Sequence, residues 1–260
     1  TIEWSDPAQA TELELLPNGD ALVGGTLTGP GRWAVKKIWS NGALDLDWGL
    51  AFTPFGFGND GAEETLGLFD LYRDSSDRVL AAGSVEVTAG VRRPALARLT
   101  SAGGLDPTFD GNGLDIVSSI PAGWTSLTVR AGVFLPDGRS VFVGSCQDCP
   151  VAGVAQIYVA RRLATGAPDT SFSGDGWMSF VLDEDDPDTA FARSVAVDDS
   201  GAVYIGGGTV LSISRTFFVA KVTPAGLLDL SFGNGDGSYG PLSSGLAPAV
   251  HDIAVDPNSG

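Results

Sequence analysis

The sequence predicts an all-β fold: a β-propeller built from about four repeats of roughly 61 residues. Three observations predict it. A unit of the form G-x-x-D-x-x-aromatic recurs with its Asp at 45, 106, 169 and 229, so the steps are 61, 63 and 60 residues. Ahead of each copy stand turn sequences such as "PNG", "PDG" and "DDSG", flanked by aliphatic and β-branched runs, the mark of a hairpin. Finally, 36 of 260 residues are Gly, about twice the usual share, and no segment keeps a helical period; "AEETLGLF" comes nearest and is short.

Taken in order, each repeat begins with a hairpin: "LELLPNGDALVGG", "LFDLYRDSSDRVLAAG", "VFLPDGRSVFVG" and "VAVDDSGAVYIGG". A third strand follows in "WAVKKIW", "PALARLT", "YVARRLA" and "FVAKVTP", each built around a basic residue. The basic positions read as Lys37, Arg98, Arg162 and Lys221, seven or eight residues before the repeat Asp. A turn and a short segment carrying the aromatic complete three to four antiparallel strands. The repeats span residues 10–64, 65–125, 126–189 and 190–248 of a single domain, with a partial fifth at 249–260. The leftovers at the two ends cannot make a fifth blade. The expectation is therefore an incomplete propeller, completed by a longer chain or by another copy; its rival is a small ring closed by pairing of Ile253–Val255 near the N-terminus.

The recurring residues have structural roles to fill. The Gly supplies a positive φ at a turn. The aromatics Trp48, Phe109, Phe172 and Phe232 are large apolar anchors between blades. Asp45, Asp106, Asp169 and Asp229 can accept turn N–H groups or pair with the basic residue before them. A catalytic residue would not recur in every blade, so a structural pair is preferred to a site.

At this level of detail "FVAKVTPAGLLDLSFGNGDG", preceded by "VAVDDSGAVYIGG", resembles the delta-sixty repeat family, tandem repeats found in exported bacterial proteins. "LARLTSAGGLDPTFDGNG" and "FLPDGRSVFVG" match its pattern closely. The first repeat departs with "DLDWG" and the insert "LAFTPFGFGNDG", and the third has Pro168 in place of the usual Leu. The resemblance implies a propeller-like fold and an extracellular or cell-surface setting. It implies no activity, because fold does not fix function.

A net charge of −17 argues against nucleic acid and anionic membrane partners, both of which need basic surface. It fits a soluble exported surface, or affinity for cations such as calcium. No apolar run is long enough to span a membrane. The chain begins "TIEWSDP" without Met, as a processed or fragmentary N-terminus would. Cys146 and Cys149 in "GSCQDCPVAG" read as a loop disulfide, with two thiols the alternative; one CxxC does not make a zinc site.

Other chemistry is sparse. With one histidine, His251, a Ser-His-Asp triad is not expected. The turns "DGNG", "SGDG" and "GNGDG" offer Asp110, Asn112, Asp175, Asn234 and Asp236 as oxygen ligands, and "DEDDPD" offers Asp183, Glu184, Asp185, Asp186 and Asp188. Calcium is thus the one cofactor to consider, with tight turns and a solvated loop as the plain readings. Trp124 in "PAGWTS" is the tryptophan best placed to be exposed for stacking on a sugar. The function read from the sequence is an exported scaffold acting as a binding or surface-structural module for a protein or carbohydrate. The alternative is a propeller enzyme acting on carbohydrate or a lactone, which needs two carboxylates in one pocket.

Overall fold

The computed structural model describes residues 8–27, 32–49, 55–56, 68–135, 137–147, 149, 155–182, 190–210, 215–233, 235–243, 250 and 252–256. Among these every regular element is a strand. Sixteen strands form four antiparallel four-stranded sheets. Sheet 1 contains β1 (Ala8–Leu15), β2 (Ala21–Leu27), β3 (Arg32–Ile38) and β4 (Phe55–Gly56). Sheet 2 contains β5 (Leu68–Arg73), β6 (Val79–Thr88), β7 (Val91–Leu99) and β8 (Leu114–Ile116). Sheet 3 contains β9 (Ser126–Phe134), β10 (Ser140–Gln147), β11 (Ala155–Arg162) and β12 (Trp177–Phe180). Sheet 4 contains β13 (Ala190–Val197), β14 (Val203–Val210), β15 (Arg215–Val222) and β16 (Ser238–Ser243). Strand order follows chain order in each, as hairpin connections require. The fourth strand lies beyond the aromatic, so the aromatic itself sits in the turn that leads into it.

The sheets repeat in detail. Each first hairpin carries a register shift at the same place on its first strand, between Ala10 and Glu12, Leu68 and Asp70, Val129 and Ala131, and Ala192 and Ser194. A bulge of this kind sharpens the right-handed twist, which lets short sheets stack. The chain divides into two compact units, residues 1–118 and 119–260, each holding two sheets. In the first, β5 packs on β1 and β2 over a core of Leu22, Trp33, Leu71, Ala81 and Leu99. In the second, β13 packs on β9, β10 and β11 over Val141, Val143, Ile157, Ile205, Phe218 and Val222. Residues 252–256 join no sheet, although Ser194 Oγ donates to Asp252 Oδ1 at 3.0 Å.

Candidate functional site

The recurring motif folds the same way four times. After the third strand a tight turn places its Gly in the left-handed region, with φ of 86°, 83°, 92° and 81° at Gly42, Gly103, Gly166 and Gly226. The chain then doubles back, so that the Asp N–H donates to the carbonyl of the basic residue. The pairs are Asp45 to Lys37 (2.9 Å), Asp106 to Arg98 (2.8 Å), Asp169 to Arg161 (3.0 Å) and Asp229 to Lys221 (2.9 Å). One carboxylate oxygen closes the next turn. Asp106 Oδ1 accepts from Thr108 N–H (3.0 Å) and Oγ1 (2.7 Å), and Asp169 and Asp229 accept likewise from Ser171 and Ser231. Asp45 Oδ1 accepts from the N–H groups of Asp47 and Trp48. The other oxygen meets the cation: Lys37 at 3.5 Å, Arg98 at 2.9 Å, Arg161 at 2.8 Å and Lys221 at 3.3 Å.

This geometry corrects the basic position in the third repeat. Arg161, not Arg162, stands eight residues before its Asp, as Arg98 does before Asp106. Neighbouring residues of a strand face opposite sides of the sheet, so Arg162 points away from Asp169. Its guanidinium lies over Trp177 (5.0 Å) and Phe142 (5.9 Å), and Nη1 donates to Ser119 Oγ at 3.0 Å.

Burial alone would raise the Asp169 carboxyl, but hydrogen bonds from Ser171 and Arg139 and the charge of Arg161 outweigh it and bring the pKa to about 2. Asp106 and Asp229 are lowered as well: at Asp106 the hydrogen bonds of Thr108 overcome burial, and at Asp229 the Ser231 hydroxyl contributes most. These carboxylates are ionised and saturated with donors, a state suited to fastening rather than to proton transfer.

Within each unit the aromatic and the Gly fasten the two sheets together. Gly49 N–H donates to Ala102 O, and Ser173 N–H to Ala225 O, both at 2.8 Å. Within each unit the aromatic turn of the first sheet thereby seats on the Gly turn of the second. A Cβ on Gly103 would stand 2.6 Å from Gly49 N and 2.7 Å from Trp48 Cδ2. On Gly226 it would stand 2.6 Å from Ser173 N and 3.0 Å from Phe172 Cγ. Only Gly permits both the φ and the approach. The guanidinium groups of Arg98 and Arg161 cover Phe109 and Phe172 at 4.9 and 4.7 Å.

A second position, two residues before the β2-type residue that pairs with the motif cation, is charged in three of the four repeats. It is Asp20, Arg78, Arg139 and Ala202, two before Leu22, Leu80, Val141 and Tyr204, which pair with Lys37, Arg98, Arg161 and Lys221. Arg139 bridges Asp137 (2.7 Å) and Asp169 (3.1 Å). Arg78 binds Asp74 at 2.6 Å and reaches Asp106 at 3.9 Å. In the first repeat Asp20 reverses the charge and pairs with Lys37 at 3.2 Å. Beside it opens a cleft of about 370 Å³ between sheets 1 and 2, lined by Leu16, Asn18, Lys37, Trp48, Arg73 and Ser101 among others.

The remaining sequence candidates are placed as follows. Asn112, Asp175 and Asp236 each accept the N–H two residues on (Leu114, Trp177, Ser238), which starts the fourth strand. Asp110 has a positive φ of 45° in the turn before it. Among the described residues no group of three or more His, Cys, Asp and Glu is placed to hold a metal. Asp183, Glu184, Asp185, Asp186, Asp188, Asn234 and His251 lie outside the described residues. Cys146 and Cys149 are buried thiols, and no disulfide joins them. Cys146 belongs to β10, paired with Gln156 and Leu127, rather than to a loop tip. Trp124 is buried instead of exposed, edge-on to Trp177 at 5.8 Å.

A family profile described as a domain of unknown function (DUF5122) beta-propeller matches residues 75–109, the stretch from the second hairpin turn to Phe109. No curated protein matches the chain. Among solved structures, an alpha-L-arabinofuranosidase from Lactobacillus brevis is 11% identical, with 92% of this chain and 72% of that one covered and a TM-score of 0.51. A thermostable family-43 glycoside hydrolase is 14% identical over 85% and 71% of the two chains, with a TM-score of 0.48. The first likeness concerns the fold alone, and with the profile it supports a β-propeller repeat fold.

Sequence reasoning passed over Arg161, Arg139, Arg78 and Asp20. The constant spacing of eight could have found the first. The other three carried a weaker signal: a charged residue closing the hairpin turn.

Proposed function

We propose that the protein is an exported repeat scaffold, of the delta-sixty kind, that acts as a binding or surface-structural module. The observation that carries this reading is the occupation of all four motif carboxylates by turn donors and by their own strand's cation. Residues spent in this way in every repeat serve the scaffold and leave no reactive group exposed by the motif. The cleft between sheets 1 and 2, with an indole, paired charges and an apolar floor, has the character of a small binding site. The experiment is a melting series on Asp106→Asn and Asp169→Asn, run beside hydrolysis assays on chromogenic arabinofuranosides, xylosides and a lactone. The scaffold reading expects lower melting temperatures and no turnover in any form. Turnover by the native chain that the variants lose while keeping their melting temperature would establish the enzyme reading.

A further inference from the structure

Within each unit the second sheet docks on the first with the same two parts. One is an aliphatic residue just past the bulge of its first strand: Leu71 in β5 and Val195 in β13, which pair with Ala81 and Ile205 in matching register. Both are packed into the core of their unit and are only 4% and 8% exposed. The other part is the Gly turn, which receives the aromatic turn of the first sheet through Gly49 N–H to Ala102 O and Ser173 N–H to Ala225 O.

Sheet 1 carries these two parts uncovered. Leu13 pairs with Val23 in the register of Leu71 with Ala81, yet it is 64% exposed, and Leu15 on the same face is 67% exposed. A Cβ on Gly42 would meet nothing within 4 Å. Asn41 O is the counterpart of Ala102 O and Ala225 O, and among the described residues it accepts from no backbone N–H.

Sheet 4 carries the complementary parts. Gly233 follows the motif aromatic as Gly49 and Ser173 do, and among the described residues its N–H donates to no backbone carbonyl. Gly206 is the counterpart of Gly24, each lying opposite the residue just past a bulge. A Cβ on Gly24 would meet Leu68 and Leu71 of the docking strand, and one on Gly206 would meet Val250 and Ile253. The two segments share their local backbone: Leu71 N–H donates to Asp70 Oδ1 at 2.9 Å, and Ile253 N–H to Asp252 Oδ1 at 2.8 Å. The segment at Ile253 thus holds the place of a docking first strand without joining a sheet, fastened by Val250 N–H to Gly207 O at 3.3 Å and by Ser194. Sheet 4 is therefore shaped to receive a sheet of this chain's own repeat.

We propose that sheet 1 of a second copy docks on sheet 4 of the first, head to tail. Leu13 takes the place of Ile253 against Gly206, and the Phe232 turn seats on the Gly42 turn with Gly233 N–H donating to Asn41 O. The contact is heterologous, since it uses different surfaces of the two copies. Burial of Leu13 and Leu15 drives it. Two effects oppose it: the resident segment has to leave, and each copy carries a charge of −17. Association is accordingly weak, and dilute solutions hold single copies. This inference stands apart from the choice between scaffold and enzyme.

The test is sedimentation velocity of the full chain over a concentration series, in salt that screens the charge. The native chain should pass from single copies to larger species as concentration rises. Leu13→Asp puts a carboxylate into the contact and should weaken association by at least about tenfold. Leu13 is exposed in the single copy, which spares the fold; should the variant still not fold, Leu13→Ser must weaken association instead. Gly42→Ala should weaken it by about tenfold as well, through the clash that a Cβ makes with a seated aromatic turn. Ile253→Asp releases the resident segment and should tighten association by about tenfold, because more copies are then competent to dock. A chain that stays single in both the native and the Ile253→Asp forms overturns the proposal and leaves these faces to a different partner. Association that Leu13→Asp and Gly42→Ala leave unchanged, or that Ile253→Asp weakens, overturns it too.

Discussion

Gly42 and Gly103 form a matched pair for measuring how much the interlock between sheets contributes. Both lie in the first compact unit and both have a left-handed backbone, with φ of 86° and 83°. A Cβ on Gly42 would meet nothing within 4 Å, whereas one on Gly103 would run into Gly49 N and Trp48 Cδ2. Substitution by Ala at either place costs about 1–2 kcal/mol for the left-handed backbone. The unfolded chain loses some freedom as well, which returns about 0.4–1 kcal/mol in both. These shared effects cancel in the comparison. Gly103→Ala must in addition push the Trp48 turn away. It strains or breaks the hydrogen bonds Gly49 N–H to Ala102 O and Trp48 Nε1–H to Ser101 O, at about 1 kcal/mol each. Overpacking against the indole adds about 1 kcal/mol more. The expected excess of Gly103→Ala over Gly42→Ala is therefore about 3 kcal/mol, which for a unit of this size is a melting difference on the order of 10 °C. Urea and thermal unfolding monitored by tryptophan fluorescence measure it. Equal destabilisation by the two variants would refute the argument that the Gly turn is a seat for the preceding aromatic.

Three further outcomes follow from the same geometry. Arg161→Met removes one partner of a buried pair and should destabilise the second unit by about 3 kcal/mol in urea unfolding; a larger effect at Arg162 on the Asp169 carboxyl titration than at Arg161 would reverse the assignment made above. Asp169, with a folded pKa near 2 against an ordinary 3.8, stabilises the fold above the ordinary value, and this contribution, about 2 kcal/mol, is lost as pH falls from about 4 through 2. Acid unfolding of Asp169→Asn should accordingly show a shallower pH dependence over that window. Cys146 and Cys149 should be silent to a thiol reagent in the native protein and give two thiols per chain in non-reducing denaturant; no thiols in denaturant would restore the disulfide.

Much of the fold was legible because it repeats. Period, turn residues and strand pattern each signal hairpins, and four copies make chance agreement small. The fourth strand was less legible: Leu114–Ile116 and Trp177–Phe180 are short, and their pairing is fixed by contacts from distant sequence. The motif's chemistry was readable in type, an Asp near a cation, but not in register at Arg161-Arg162, where two adjacent arginines compete and only the facing of the strand decides. Trp124 shows a different limit. In sequence it follows "PAG" and looks like a loop residue, yet Tyr158 and Trp177 bury it. The cleft was not legible, because residues far apart in the sequence, from Leu16 and Lys37 to Arg73 and Ser101, meet only in the folded chain to line it.

The most direct test of the central claim, that the recurring Asp is a structural fastening, is a carboxyl titration of Asp106, Asp169 and Asp229 by carbon NMR. All three should titrate below the ordinary 3.8, with Asp169 near 2, because each is held by a hydroxyl, an N–H and a cation. Any of these three carboxyls titrating at or above the ordinary value would mean that its donors are not engaged in solution, and would contradict the account.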